Sequence, residues 1–492
     1  MNFELSALRE RLDRMPMLKL LVPLAAGIVA AEHGVLPLWF LAGAFLLCGG
    51  AALLLRSSSA LCGLLFTAGF GAGQLQAPRR TVPLDVACMW EVSVDGIPAS
   101  RGRYTTVEAT LAAWYDPDSD DVRHAAHDRA VVRADSSVLL AGGERILCFG
   151  TLRPFRGPEG YRRLMTRRGY AGVLHLSQRR IIDTSPAEHT GLHRGAAARL
   201  RRAGFSGEAG AVVRAMTVAD RSGITPELRA AYARSGMSHL LAVSGLHTGI
   251  VFLVANLVLH LLTLLPRGHV WRNLLAVTAV WLYVAATGFP PSAVRAAVMC
   301  TLLQGALASG SEYVGMNALA AAACGMLLWH PAWIGDIGFQ LSFVAVAAIL
   351  AWGVPLCRRL RTGRRWLDAA IGALGIGLCA SAATAPLVSH TFGTIPVAGV
   401  LLNPIVVPLA GVVVAGGVAV LLVPVASFAL RPLAQGAAGA LDALARHAAA
   451  IPGGAVEYTL SGPATAAIYL LFVLLTAAAW CRKPKKSVPL RS

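Results

Sequence analysis

Apolar residues in this chain come in runs of about 20, the length an α-helix needs to cross the hydrocarbon core of a bilayer. Three runs open the sequence, at 18–31, 36–55 and 60–77. Five more follow at 238–264, 270–289, 291–309, 313–330 and 333–356, and three at 366–391, 395–425 and 463–481. A weaker Ala-rich stretch at 433–451 carries Asp442, Arg446 and His447, and it either crosses or lies on the surface. The first run follows a leader with both arginines and acids and is succeeded at once by further runs, so it reads as a span rather than a cleaved signal.

Between 78 and 204 no run is long enough to span, and polar and apolar positions alternate with period two. Segments 89–94, 106–111, 130–134, 145–150 and 172–176 predict about five strands, a number that suits a small barrel of the oligonucleotide-binding (OB) type. A β-sandwich fragment fits the same pattern. Three crossings from an inside start put this segment outside. Five more return the arginines at 358, 359, 361, 364 and 365 to the inside, as the positive-inside rule requires. The expected architecture is therefore a polytopic α-helical membrane protein with an inserted, extracytoplasmic, β-rich OB-like domain. It divides into spans at 1–77, the OB-like segment at 78–204, a second membrane domain at 205–481 and a basic tail at 482–492.

Composition narrows the class further. Of 492 residues, 55% are hydrophobic and 14% charged, with mean hydropathy +0.59, which excludes a soluble, disordered or collagenous chain. The net charge of +18 points to anionic partners, membrane lipid or nucleic acid. Within the β-rich segment, residues 145–202 hold 13 arginines against 3 acids. Arg162, Arg163, Arg167 and Arg168, flanked by Tyr161 and Tyr170, combine cations with rings as single-strand-binding surfaces do, although a solvated or lipid-facing surface has the same composition. Cys88 and Cys148 are the only thiols in this segment, and its outward placement predicts a disulfide between them. No Cys/His set has zinc spacing, so neither a metal nor any other cofactor is expected.

Polar groups within the apolar runs mark either helix contacts or a hydrated path. His239, Ser244, Gly245, His247 and Thr248 form one cluster, in which Ser244, His247 and Thr248 share a helical face. A second holds Pro290, Pro291, Ser292 and Arg295, where a helix start and a full positive charge combine as an anion site. The competing structural reading is an ion pair of Arg295 with Asp336 or Glu312. A third places Asp336 and Gln340 beside Phe339 and Phe343. The fourth is Asn403-Pro404 with Pro386 and Pro408, a pattern that predicts unwound backbone inside the membrane. No lysine follows a glycine, which excludes a P-loop.

These clusters, with the sequences GITPEL at 223–228, HLLAVSGLHTGI at 239–250, TGFPPSAVRAAVM at 287–299 and DIGFQLSF at 336–343, resemble the ComEC-type competence DNA-uptake proteins. The resemblance is strong over about 205–410. It implies an inner-membrane channel admitting single-stranded DNA in natural transformation, with 205–481 as the channel domain. His239, Ser244, Gly245, His247, Ser292, Arg295, Asp336, Gln340 and Asn403 would then border the DNA path. Many relatives carry a C-terminal metallo-β-lactamase-like domain, whereas this sequence stops at Ser492 and shows no His-x-His-x-Asp-His cluster. A separate nuclease, a cytoplasmic helicase-like motor and an outer DNA receptor are thus expected as partners, and a homo-oligomer is compatible. Two other functions fit the same residues: a small-solute or lipid transporter, and an intramembrane enzyme using Ser244 and His247.

Overall fold

Alternating side chains between residues 87 and 176 close into a five-stranded barrel in the computed structural model of the chain. The structure describes residues 5–31, 33–76, 82–95, 99–101, 104–116, 122–135, 138, 140, 144–157, 161–162, 165–166, 169–185, 192–451 and 453–481. Its strands are β1 (Ala87–Val94), β2 (Ala99–Arg101), β3 (Tyr104–Tyr115), β4 (Arg123–Asp135), β5 (Arg145–Arg153), β6 (Tyr170–Leu176) and β7 (Ile181–Ser185). The order β1-β3-β4-β6-β5 returns to β1 through a β1–β5 pairing, which closes the barrel. The β4–β6 pair is parallel and the other pairs are antiparallel. Register shifts bend the sheet toward closure, with Ala112 of β3 extra against β1 and residues 126–127 of β4 opposite Ala112. All five strands that the alternation predicts are the barrel strands; β2 and β7 are short additions.

Inward positions of β1 bury Cys88, Trp90, Val92 and Val94 completely. Trp90 carries a polar atom into this core, and its Nε1 donates to Gly150 O at 2.8 Å. Cys88 and Cys148 sit on the same inner face, but Cys88 lies opposite Gly150 while Cys148 lies opposite Trp90. They are diagonal neighbours rather than a facing pair, and diagonal positions stand roughly 7–8 Å apart. Both are free thiols, so the expected disulfide is not formed. Burial pushes the Cys148 thiol up to about 12, the behaviour of an inert core cysteine.

Seven helices among the described residues are long and apolar enough to cross a membrane: Leu38–Leu55, Gly245–Leu264, Pro291–Ser309, Ile337–Arg359, Arg365–Phe392, Leu401–Leu422 and Gly462–Trp480. Pro16–Ala30 and Gly315–Trp329 are apolar and shorter. The chain is thus a polytopic helical membrane protein that carries a small β-barrel. Pro16–Ala30 crosses Ser58–Leu75 in backbone contact, because a Cβ on Gly27 would stand 2.1 Å from Phe66 O and one on Gly69 2.3 Å from Leu24 O. Small residues allow this approach where no hydrophobic drive between helices exists.

Three expectations need correction. The run at 238–264 does not form one helix: a 3₁₀ turn at Ser238–Leu240 precedes a fresh helix start at Gly245. Pro386, Pro404 and Pro408 do not unwind their segments, since Arg365–Phe392 and Ala398–Leu422 are continuous helices. Each proline removes one backbone donor, and packing against neighbouring helices holds the rest of the ladder. Finally, helix Leu192–Arg202 does not belong with the barrel. Its Ala197 and Leu200 are buried in the same cluster as Phe205, Val212 and Val413 of the helical domain. The last four arginines of the basic stretch therefore lie on the membrane domain. The Ala-rich stretch, observed as Ser427–Ala450, buries Ala434, Leu441 and Ala445 in that cluster, and Tyr232 Oη donates to Asp442 at 2.7 Å.

Candidate functional site

The site begins where helix Gly245–Val258 starts. Ser244 adopts extended backbone and forms a capping box with His247: the Ser244 side chain receives the His247 N–H, and Ser244 N donates to His247 Nδ1 at 3.3 Å. An accepting Nδ1 leaves the proton of a neutral ring on Nε2. That Nε2 is buried and has no hydrogen-bond partner. The expected Ser244–His247 dyad therefore has a different geometry, with the hydroxyl serving the helix end rather than the imidazole.

A second helix start faces the first. Thr287 Oγ1 returns to Val284 O at 2.9 Å, Gly288 and Phe289 take positive φ (80° and 54°), and Pro291 opens helix Pro291–Ser309 at its first position. The Pro pair thus stops one helix and starts the next, as its sequence predicts. Ser292 Oγ donates to Val243 O at 2.7 Å and ties the two helix starts together.

Arg295, one turn into this helix, is only 6% exposed. Its Nη1 donates to Ser342 O, its guanidinium lies 5.8 Å from the Phe343 ring centre, and its Nε has no partner. Nη2 fills the space beside Gly245, 2.2 Å from where a Cβ would stand, so any larger residue there must displace the guanidinium. Gly245→Ala should push the guanidinium out of place and destabilise the fold by about 1–3 kcal/mol. Thermal unfolding of the detergent-solubilised chain measures this, and an unchanged midpoint would contradict the close packing.

The ion pairs among the described residues do not include one between Arg295 and Asp336. Asp336 instead caps helix Ile337–Ala348, accepting from Phe339 N at 2.9 Å, and Gln340 Nε2 donates to Ile334 O at 2.7 Å. Both hold the entry to the helix whose Ser342 and Phe343 meet Arg295. Phe339 and Phe343 pack 4.3 Å apart between these points. The structure thus brings together Ser244, Gly245, His247, Ser292 and Arg295, with Asp336 and Gln340 supporting from one end. His239 bonds Gly236 O at 3.0 Å and lies within electrostatic range of His247. Asn403 stands apart, its amide against Gly377 on another helix pair.

Some polar residues were not anticipated from sequence. Gln304 donates to Asn256 at 2.9 Å across the same two helices as Arg295 and Gly245, with its Oε1 unsatisfied. The signal was present as two amides inside apolar runs. Asp220, fully buried, bonds Arg201 Nη2 at 2.8 Å and Arg214 Nε at 3.2 Å, and Ser222 Oγ at 2.6 Å completes its shell. This network clamps the turn that leads into 223–228 and from there to the site.

On the barrel, Arg162 is exposed, while Arg163, Arg167 and Arg168 lie outside the described residues. Of the two flanking rings, Tyr161 is accessible and Tyr170 is not, being 3% exposed beneath the Arg129 guanidinium at 4.6 Å.

A buried guanidinium with no carboxylate bonded to it among the described residues stands between two helix starts, and the nearby helix carries a buried imidazole Nε2 without a partner; these are the kinds of group an anion site uses. These residues fall within the segment that known proteins match. The Competence protein family matches residues 216–484. ComE operon protein 3 of Bacillus subtilis is 33% identical over 202 residues, covering 40% of this chain and 24% of that protein. Competence protein ComA of Neisseria gonorrhoeae is 28% identical over 207 residues, 40% of this chain and 28% of its own length. An uncharacterized protein of Aquifex aeolicus is 30% identical over 184 residues, covering 37% and 40%. The matched part thus spans between a quarter and two-fifths of these relatives. No solved structure matches. Over the segment that holds both helix starts, Arg295 and its partners, this chain belongs to the competence protein family.

Proposed function

We propose that the chain is the inner-membrane channel through which single-stranded DNA enters during natural transformation. The observation that carries this reading is Arg295, a guanidinium 6% exposed inside the helical domain with no carboxylate bonded to it among the described residues. A channel for a polyanion needs fixed positive charge that binds each phosphate weakly and repeatedly. Ser244, Gly245, His247, Ser292 and Arg295 border the route in this reading, Asp336 and Gln340 position its aromatic wall, and His239 and Asn403 lie further along it.

The barrel supports the same reading. A closed five-stranded barrel with one parallel pair is the kind of scaffold on which OB folds hold oligonucleotides. Placed on the extracytoplasmic side, it would present Arg162 and Tyr161 to an arriving strand, with Arg163, Arg167 and Arg168 adjacent in sequence. Contacts of this kind are to phosphate, so binding should fall steeply with salt. The reading requires an outer DNA receptor, a helicase-like motor inside the cell and a nuclease activity. The enzyme alternative gains nothing specific from the geometry, since Ser244 serves the start of its helix.

Deleting the gene tests the function directly. Cells without the chain should still collect labelled DNA at their surface, while label in the nuclease-protected interior falls to background. Normal internal label in the deletion strain would refute the proposal.

A further inference from the structure

The span Ile337–Arg359 contains one π-helical turn, Ile349–Gly353, before its last segment Val354–Arg359. Such turns change the facing of the residues that follow and are frequent at functional sites. Here the altered segment runs beside helix Arg365–Phe392. The two helices touch through small residues. A Cβ on Gly353 would stand 3.7 Å from Cys379 Cβ and Ile376 Cα, and one on Gly375 3.2 Å from Cys357 Sγ. Beyond those contacts they part, and a cleft of about 870 Å3 opens between them. Val354, Cys357, Ala369 and Ile376 give it an apolar wall, Arg358 and Arg361 give it a cationic one, and Asp368 lines it at the turn.

The surroundings define what fits. Five arginines lie between 358 and 368, against the single carboxylate of Asp368. That carboxylate is engaged in the turn, where its Oδ1 accepts from Thr362 N at 2.7 Å and Thr362 Oγ1 at 2.9 Å. Leu360 and Trp366 are exposed at 49% and 70% beside the arginines, as residues at a membrane interface are.

We propose that this cleft binds an anionic phospholipid, with the phosphate on Arg358 and Arg361 and an acyl chain along Val354 and Ile376. A water-soluble phosphate would satisfy the arginines and leave the apolar wall uncovered. A zwitterionic lipid would cover the wall and bring no net charge to the arginines. Basic clefts between helices at the cytoplasmic end of a bundle are suited to anionic headgroups. The proposal stands independently of the DNA route, because none of its residues belongs to the Arg295 site.

The test is native mass spectrometry of the full chain in detergent, titrated with phosphatidylglycerol or phosphatidylcholine. The wild type should retain phosphatidylglycerol roughly tenfold more than phosphatidylcholine. The pair Arg358→Gln with Arg361→Gln should abolish that preference, whereas Arg359→Gln with Arg364→Gln, removing equal charge outside the cleft lining, should keep it. Ile376→Trp, which fills the apolar wall, should also weaken retention. Variants are compared at matched melting temperature, so that misfolding cannot imitate lost binding. Equal loss in the two arginine pairs would reduce the effect to general surface charge and overturn the site. Displacement of the lipid by inorganic phosphate or by a single-stranded oligonucleotide would overturn the lipid assignment. Equal retention of both lipids by the wild type would overturn it as well.

Discussion

Asp220→Asn should destabilise the helical domain by about 3–5 kcal/mol, the cost of leaving a buried charge without its partner. Asp220 is fully buried between Arg201, whose side chain is 49% exposed, and Arg214, which is 9% exposed. Water can take over the role of the carboxylate for Arg201 but not for Arg214, so the second contact dominates. Arg214 also donates to Phe205 O and anchors the loop before its own helix. Adding Arg214→Met to Asp220→Asn should recover part of the loss, because the uncompensated charge is then gone. The effect carries a pH signature. Burial alone would raise the Asp220 carboxyl, but hydrogen bonds from Ser222 and Arg201 outweigh it and hold the group below the usual carboxylate range. A group depressed in the folded state contributes stability above its unfolded value of about 3.9 and loses it as pH falls through the folded value. The melting-temperature gap between wild type and Asp220→Asn should thus be constant from neutral pH to about 5 and close below about 4. A gap that persisted unchanged at pH 3 would contradict the assigned charge state.

That network shows why part of the structure was not legible in the sequence. Patterns with a fixed period were readable. Alternation found all five barrel strands. The Pro290-Pro291 break was readable too, since proline acts on its own backbone. Pairings across distance were not. Arg201 and Asp220 meet because Leu192–Arg202 folds onto the helical domain, whereas position in the chain assigns that helix to the barrel segment. Cys88 and Cys148 share a face but miss each other by the register of β1 on β5, which no composition reveals. Pro404 and Pro408 stayed helical because tertiary packing outweighed a local preference. Arg295 was found as a charge inside an apolar run, yet its partner is the main-chain oxygen of Ser342 rather than the carboxylate of Asp336. A carbonyl acceptor leaves no trace in a sequence.

The second large effect concerns Arg295 itself. If its guanidinium lends charge to passing phosphates, Arg295→Ala should lower DNA entry by roughly 10- to 100-fold, the worth of one charged hydrogen bond. Arg295→Lys keeps the charge but not the planar guanidinium that donates to Ser342 O and packs beside Gly245, so it should retain part of the activity. A purely structural role makes a different prediction. Loss of the Ser342 contact would loosen the junction of three helices, reduce protein abundance, and impair Lys and Ala variants in proportion to the packing lost. Abundance and uptake must therefore be read together.

The most direct measurement is the amount of labelled DNA reaching the nuclease-protected interior, per molecule of membrane-inserted protein, in cells carrying wild type, Arg295→Lys or Arg295→Ala. The account predicts equal surface-bound DNA in all three, with entry per molecule falling in that order and lowest for Ala. Normal entry per molecule in Arg295→Ala would contradict the claim that this buried guanidinium serves the passing strand.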